Sequence, residues 1–173
     1  MESTRLFALL RGSRWAFARA IQNLATAEAF SVTGAAAFEE VPEAPARLRY
    51  TEQGSMLQAH PDPAAQLPPM EVRAEHVWHF DAAEAAAVFF ADGRPFHTVP
   101  LPSLDAQGQS SAAFTHYCHP DTYEGALEFS AQRMRLKWRI TGPHKDMQIE
   151  TLFSRGAEGP AAGAGAALTD NGV

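Results

Sequence analysis

The chain has 173 residues, with 33 Ala, 12 Gly, 12 Pro and a single Cys, and 14 basic against 20 acidic residues give a net charge of −6. The acidic excess argues against a general nucleic-acid-binding protein, which needs Lys and Arg to displace counterions. One Cys cannot form an intramolecular disulfide, so a disulfide-stapled secreted fold is excluded and a reducing compartment is favoured.

The first apolar run in the chain is Arg5–Leu10, which ends at Arg11. It is shorter than the roughly 7–15 apolar residues of a signal-peptide core and far shorter than the ~20 that span a bilayer. We therefore expect a cytoplasmic protein with no membrane partner. The same run is expected to form a short helix with Thr4 as its N-cap.

Short segments in which apolar and polar residues alternate follow one another along most of the chain. Alternation with a period of two is typical of a strand with one buried face. It is clearest in residues 134–140, where Met, Leu, Trp and Ile alternate with Arg and Lys. The predicted strands are residues 15–21, 30–39, 48–53, 55–60, 72–80, 86–91, 96–101, 112–119, 122–129, 134–140 and 147–153.

The strands are expected to pair in sequence order as an antiparallel up-and-down barrel of about ten strands. Gly54 and the pair Asp92-Gly93 are typical turn residues between antiparallel neighbours, and closure of so long a sheet removes its exposed edges. The Ala-rich segment 81–87 leaves a short helical turn open as an alternative. Residues 1–155 are predicted to form this single all-β domain, and residues 156–173, with five Gly and six Ala, a disordered tail.

Gly12 and Trp15, at the start of the first predicted strand, are similar to the Gly-x-Trp opening motif of lipocalins and their calycin relatives. In those barrels the Trp packs across the closed base, and an Arg near the end of the last strand lies over it. The resemblance assigns that role to Arg155, with Arg139 as the alternative.

Three further segments, residues 92–97, 116–123 and 138–146, resemble a family of small bacterial proteins known only as a domain of unknown function with a calycin-like fold. The resemblance covers residues 10–155 and departs from the family at His144, where Arg is expected. It implies a lipocalin-like barrel and no particular activity.

Three residues form the most specific constellation: His97, His116 and Cys118. His116 and Cys118 are two residues apart on one predicted strand and therefore share a face, and His97 lies on the preceding strand. Imidazole and thiolate are ligands that zinc and iron prefer. No fourth ligand is evident, however, and the alternative is that these are ordinary strand residues with backbone partners. We predict no metal and no cofactor.

Two charged residues have competing interpretations. Asp121 could orient a histidine for acid–base chemistry, but Pro120-Asp121-Thr122 is also a natural turn in which Asp bonds backbone donors. Arg19 shares a face with Trp15 and would be buried inside the barrel unless it reaches water at the rim. A buried guanidinium needs an internal carboxylate, such as Glu52, or an anionic ligand.

These observations favour a protein that binds a small amphipathic or anionic molecule inside the barrel. The candidate lining residues are Trp15, Arg19, Trp78, His97, His116, Tyr123 and Trp138. One alternative is a cofactor-free isomerase, cyclase or hydrolase with His97 or His116 as base and Arg19 as anion clamp. Another is a haem- or metal-binding barrel. We favour a binding protein over an enzyme, with a small molecule as partner and a homodimer left open.

Overall fold

The computed structural model describes residues 5–101 and 105–155. Helix α1 (Arg5–Leu10) precedes ten strands, and a 3-10 turn spans Pro63–Ala65. The strands are β1 (Ser13–Asn23), β2 (Ala29–Glu40), β3 (Arg47–Gln58), β4 (Met70–His79), β5 (Ala85–Phe90), β6 (Pro95–Pro100), β7 (Ser110–Cys118), β8 (Asp121–Phe129), β9 (Arg133–Gly142) and β10 (Lys145–Ser154).

All ten strands form one antiparallel sheet in the order β6-β5-β4-β3-β2-β1-β10-β9-β8-β7. Among the described residues, strands that follow each other in sequence pair with each other, except β6 and β7, and β1 also pairs with β10, so the sheet curls into a nearly closed barrel. Within the described ranges no ladder joins β6 to β7, although the two strands lie side by side. The predicted up-and-down, all-β barrel is confirmed.

Helix α1 closes one end of the barrel, which we call the base. Its apolar residues Leu6, Phe7 and Leu10 are buried, and the Phe7 ring meets the Phe80 ring edge-on at 5.2 Å. Gly12, with a φ of 65°, turns the chain from the helix into β1. The opposite end, which we call the mouth, carries the turns that connect β1–β2, β3–β4, β5–β6, β7–β8 and β9–β10.

Two details of the predicted strands are wrong. Residues 48–53 and 55–58 belong to one continuous strand, β3, which ends before Ala59, and Gly54 is in its interior, paired with Gly34 of β2. No helix forms at residues 81–87, because residues from Ala85 onward pair with β6. The predicted cap Thr4 and the predicted tail 156–173 lie outside the described residues.

Candidate functional site

The base is built around Trp15, whose ring is 2% exposed. Its Nε1 donates to Ser13 Oγ at 2.8 Å, and the Ser13 hydroxyl donates to the carbonyl of Leu10 at 2.5 Å. The guanidinium of Arg155 lies 5.5 Å above the Trp15 ring. This is the arrangement implied for Arg155 by the lipocalin resemblance, whereas Arg139 is paired with Asp146 on the outer surface. Trp15 thus belongs to the closed end.

Inward-facing side chains become more accessible from base to mouth. On β1, Trp15 and Phe17 are buried, whereas Arg19 and Ile21 are half-buried. Strands β3, β8 and β10 show the same gradient in their inward positions, whereas on β9 the inward residue Ile140, near the mouth, is buried. Because these side chains point to the barrel axis, their exposure means that water enters the mouth half. We call this partly accessible mouth half of the interior the cup.

Arg19 projects into the open half and is held by two neighbours. Its Nη1 and Nη2 donate to the two carboxylate oxygens of Glu52 on β3 at 2.7 and 2.6 Å, and its Nε donates to Thr151 Oγ1 on β10 at 2.9 Å. The Tyr50 hydroxyl donates to Glu52 Oε2. Of the two partners considered for Arg19, an internal carboxylate and an anionic ligand, the structure supplies the carboxylate.

The pKa values of these groups reflect burial and pairing together. Burial alone would raise the pKa of Glu52, but its bonds with Arg19 and the Arg19 charge leave that pKa below its usual value. Burial alone would lower the pKa of Arg19, and Glu52 reverses the direction. Burial and the Glu52 charge raise the pKa of Tyr50 well above its usual value. The pair is therefore ionised at neutral pH, with its charges cancelled.

His76 connects this pair to an aromatic cluster on the opposite wall. Its ring stacks on Tyr50 at 5.9 Å and on Phe96 at 5.4 Å. Burial lowers the pKa of His76, and the nearby Glu52 charge offsets only part of that effect. A continuous row of side chains therefore runs across the interior, from a charged pair to neutral rings.

A β-bulge in β6 turns two consecutive side chains inward. Val88 of β5 pairs with His97, but Phe89 pairs with Pro95, so Phe96 is an extra residue in the ladder. Phe96 packs on His76, and His97 stacks on Phe114 with centroids 5.2 Å apart.

His97 is enclosed by rings on several sides. The centroid of its ring lies 5.0 Å from that of Trp138, 4.5 Å from that of Phe96 and 6.5 Å from that of Trp78, and all three contacts are edge-on. Its Nδ1 is buried and has no hydrogen-bond partner among the described residues. Burial, with the neighbouring His76 and His116, lowers the pKa of His97 to about 3. The ring is therefore neutral at any physiological pH.

The remaining candidate lining residues join the same cluster. His116 meets Phe96 edge-on at 5.9 Å and Tyr123 at 5.8 Å, and Tyr123 meets Trp138 at 6.3 Å. All three are half-buried and face the mouth half. Five of the seven residues predicted to line a cavity are thus brought together: Trp78, His97, His116, Tyr123 and Trp138. Arg19 faces them from the opposite wall.

Two further residues considered for chemistry, Cys118 and Asp121, lie outside this cluster. Cys118 is exposed at the mouth, and no group of three His, Cys, Asp or Glu side chains in the described ranges is arranged to hold a metal ion. Asp121 bonds Lys145 Nζ at 2.5 Å. The acid–base interpretation of Asp121 is therefore not supported, because its carboxylate is engaged by an ammonium group.

Sequence reasoning missed three members of the cluster: His76, Phe96, and Phe90, whose ring stacks on Phe96 with centroids 4.7 Å apart. His76 carried a usable signal, since it lies between Ala74 and Trp78 on an alternating apolar face, as Arg19 does on β1. Phe96 carried none, because alternation predicts that it and His97 face opposite ways.

A groove of about 970 Å³ lies at the base end of β7–β10. Arg135, one of its charged lining residues, is engaged by Glu150 at 2.7 Å and faces Glu128 at 3.9 Å. The groove lies away from the rings and imidazoles of the interior, so the interior is the better candidate site.

Residues 10–155 match DUF6314, a family of unknown function. The chain belongs to this family. No curated protein matches the sequence. Among solved structures, the S-type phycobiliprotein lyase CPES from Guillardia theta is similar, with a TM-score of 0.62 and 13% sequence identity over 90% of this chain and 93% of that chain. At that identity the likeness shows the lipocalin-like fold. The described residues include no helix long and apolar enough to cross a membrane.

Proposed function

We propose that this member of DUF6314 binds a small, amphipathic, ring-containing molecule in the mouth half of its barrel. The observation that carries the proposal is that the inward-facing side chains of His116, Tyr123 and Trp138 in the mouth half are only half-buried. Aromatic walls with a few polar groups are typical of small-molecule sites. The fold it shares with a phycobiliprotein lyase is consistent with a barrel that accommodates a small molecule.

The charge of the interior favours a neutral ligand over an anionic one. Arg19 is the inward-facing residue with a permanent positive charge, and Glu52 neutralises it through two hydrogen bonds. An anion would have to displace Glu52, which would leave a buried carboxylate without its partner. The same pairing argues against Arg19 as the anion clamp of an enzyme. A reducing cytoplasmic location, proposed from the single, exposed Cys118, is compatible with this function.

The proposal is tested by a substitution that places a bulky side chain in the mouth half of the interior. Ala74 faces inward, is half-buried and pairs with Glu52 across β3 and β4. We expect Ala74→Phe to weaken binding of the neutral fluorescent probe N-phenyl-1-naphthylamine at least tenfold, because the new ring occupies the space of the ligand. The measurement is a fluorescence titration of purified protein.

The matched control is Arg73→Phe, which adds the same ring at the adjacent, exposed position. It should leave probe affinity within about twofold of the wild type. If both variants bind the probe like the wild type, or if the wild type does not bind it, the ligand site is not in the mouth half.

A further inference from the structure

His97 differs from the other interior polar groups because its bonding capacity is unused. Arg19, Glu52 and Tyr50 satisfy one another. Nδ1 of His97 has no partner within the described ranges, and the only other buried side-chain atom without a hydrogen bond, Asp146 Oδ1, faces the guanidinium of Arg139. A buried polar atom without a hydrogen bond has lost its bonds with water and gained none in return, so we expect a phenyl ring at position 97 to make the protein more stable.

The position of His97 gives it access to a ligand. It lies on β6, an edge strand that is hydrogen-bonded only to β5 within the described ranges. Across the seam to β7, contact is made by rings: His97 on Phe114 and Phe96 on His116. Such ring contacts are individually weak, and the half-buried Phe96 lies on the mouth side of His97. Because Phe96 has no partner in the β5–β6 ladder, its ring can shift away from the mouth side of His97 while that ladder stays in place.

We propose that His97 Nδ1 is the polar anchor of the ligand site, accepting a hydrogen bond from an O–H or N–H group attached to a planar ring. This inference rests on the proposed function and names the ligand class: a neutral aromatic or conjugated molecule with a hydrogen-bond donor at its inner end. The aromatic walls of Phe96, Phe114 and Trp138 receive the ring.

The chemistry of the site supports a neutral donor in particular. A histidine with its pKa lowered to about 3 carries no charge that could attract an anion, but a neutral imidazole has one nitrogen free to accept a hydrogen bond. The neighbouring imidazoles of His76 and His116 lower the pKa of His97 further.

The test compares two probes that share the naphthalene ring: 2-naphthol, which has an O–H donor, and 2-methoxynaphthalene, in which a methyl group replaces the hydroxyl hydrogen. Their affinities are measured by displacement of N-phenyl-1-naphthylamine. We expect the wild type to prefer 2-naphthol by roughly three- to tenfold, the worth of one hydrogen bond. In His97→Phe the preference should vanish while 2-methoxynaphthalene still binds, and the melting temperature should rise.

Two further variants separate the anchor from general packing. His97→Asn restores a polar acceptor near the position of Nδ1 and should recover part of the preference. Thr98→Val, on the same strand and exposed, should retain all of it.

The outcomes distinguish the two proposals. Equal affinity of the wild type for the two naphthalenes, or a preference that persists in His97→Phe, would overturn the anchor while leaving the binding function intact. Failure of all three probes to bind the wild type would instead contradict the proposed function.

Discussion

Among the polar residues of the interior, Arg19, Glu52 and Tyr50 form hydrogen bonds with one another, whereas Nδ1 of His97 has no partner within the described ranges. The bidentate contact of Arg19 with Glu52 is only partly shielded from water, with side-chain exposures of 20% and 6%. Removing one partner of such a pair lowers the free energy of unfolding strongly, whereas replacing both by apolar groups can leave it unchanged. The pair is therefore better evidence of a defined geometry than of added stability. His97 has the opposite character, because it lowers stability where it stands.

Glu52→Gln is expected to destabilise the protein by about 2–3 kcal/mol at pH 7, less than for a fully buried pair, because Arg19 retains some water. The pKa of Glu52 is lowered on folding, so its contribution is present above the unfolded value of 4.5 and is lost as the pH falls through the folded value. The groups facing Glu52 are Arg19, Tyr50 and His76, and burial keeps His76 neutral near pH 7. Urea denaturation at pH 7 and at pH 4 measures both effects.

In Glu52→Gln the stability difference between pH 7 and pH 4 should be smaller than in the wild type. The control is Glu75→Gln, whose contact with Arg49 is 3.3 Å long and about half exposed on both sides. It should cost less than about 1 kcal/mol. Equal losses from the two variants would show that the Arg19–Glu52 pair is no stronger than a surface contact.

At the scale of elements, the sequence predicted most strands because one face of each is apolar. It failed where a tertiary contact decides the local structure. Gly54 has the signature of a turn, but in β3 it lies against Phe17 and opposite Gly34, which no local pattern indicates. The bulge at Phe96 is a similar case, since only the pairing with β5 determines that two consecutive rings face inward.

Gly34→Ala tests why the strands β2 and β3 approach so closely. A Cβ at position 34 would lie 2.1 Å from the backbone oxygen of Gln53 and 2.6 Å from the Cα of Gly54. Backbone atoms cannot move aside as a side-chain tip can, so we expect a loss of at least about 3 kcal/mol in the free energy of unfolding.

Urea denaturation measures this loss. The control, Ala35→Ser at the adjacent exposed position, should change stability by less than about 0.5 kcal/mol. A Gly34→Ala protein as stable as the control would mean that β2 and β3 can separate freely.

At the scale of the whole molecule, the residues that stabilise the fold lie at one end of the barrel and those proposed to bind the ligand lie at the other. The base contains α1, Trp15 and fully buried side chains, whereas the mouth contains the accessible rings, the imidazoles and the charged pair. The lipocalin-like arrangement of Trp15 and Arg155 could be predicted from the sequence through resemblance. The union of His76, Phe96 and His97 in one cluster could not, because it depends on three strands and a bulge.

Phe7→Ala is expected to destabilise the protein by about 3–5 kcal/mol, because the ring is buried against Phe80 beneath the base. Affinity of the folded protein for N-phenyl-1-naphthylamine should stay within about twofold, since the mouth is at the other end. Thermal denaturation and probe titration of the same sample measure the two quantities.

Ala8→Ser, on the exposed face of α1, is the control and should change neither quantity. A tenfold loss of probe affinity in Phe7→Ala under folding conditions would place the ligand near the base.

The contact between Arg19 and Thr151 has a consequence for how the chain closes on itself. Nine pairings join the ten described strands, and eight of them link strands that follow each other in the chain. The ninth pairs β1 with β10 and brings together Arg19 and Thr151, which are 132 residues apart. Joining distant segments carries the largest loop-closure entropy and is slow. A slip of one residue in this ladder would remove Thr151 from Arg19 and reverse the faces of one strand relative to the other. The bonds of Arg19 with Thr151 and Glu52 therefore favour one register in the pairing that joins the two most distant strands of the barrel.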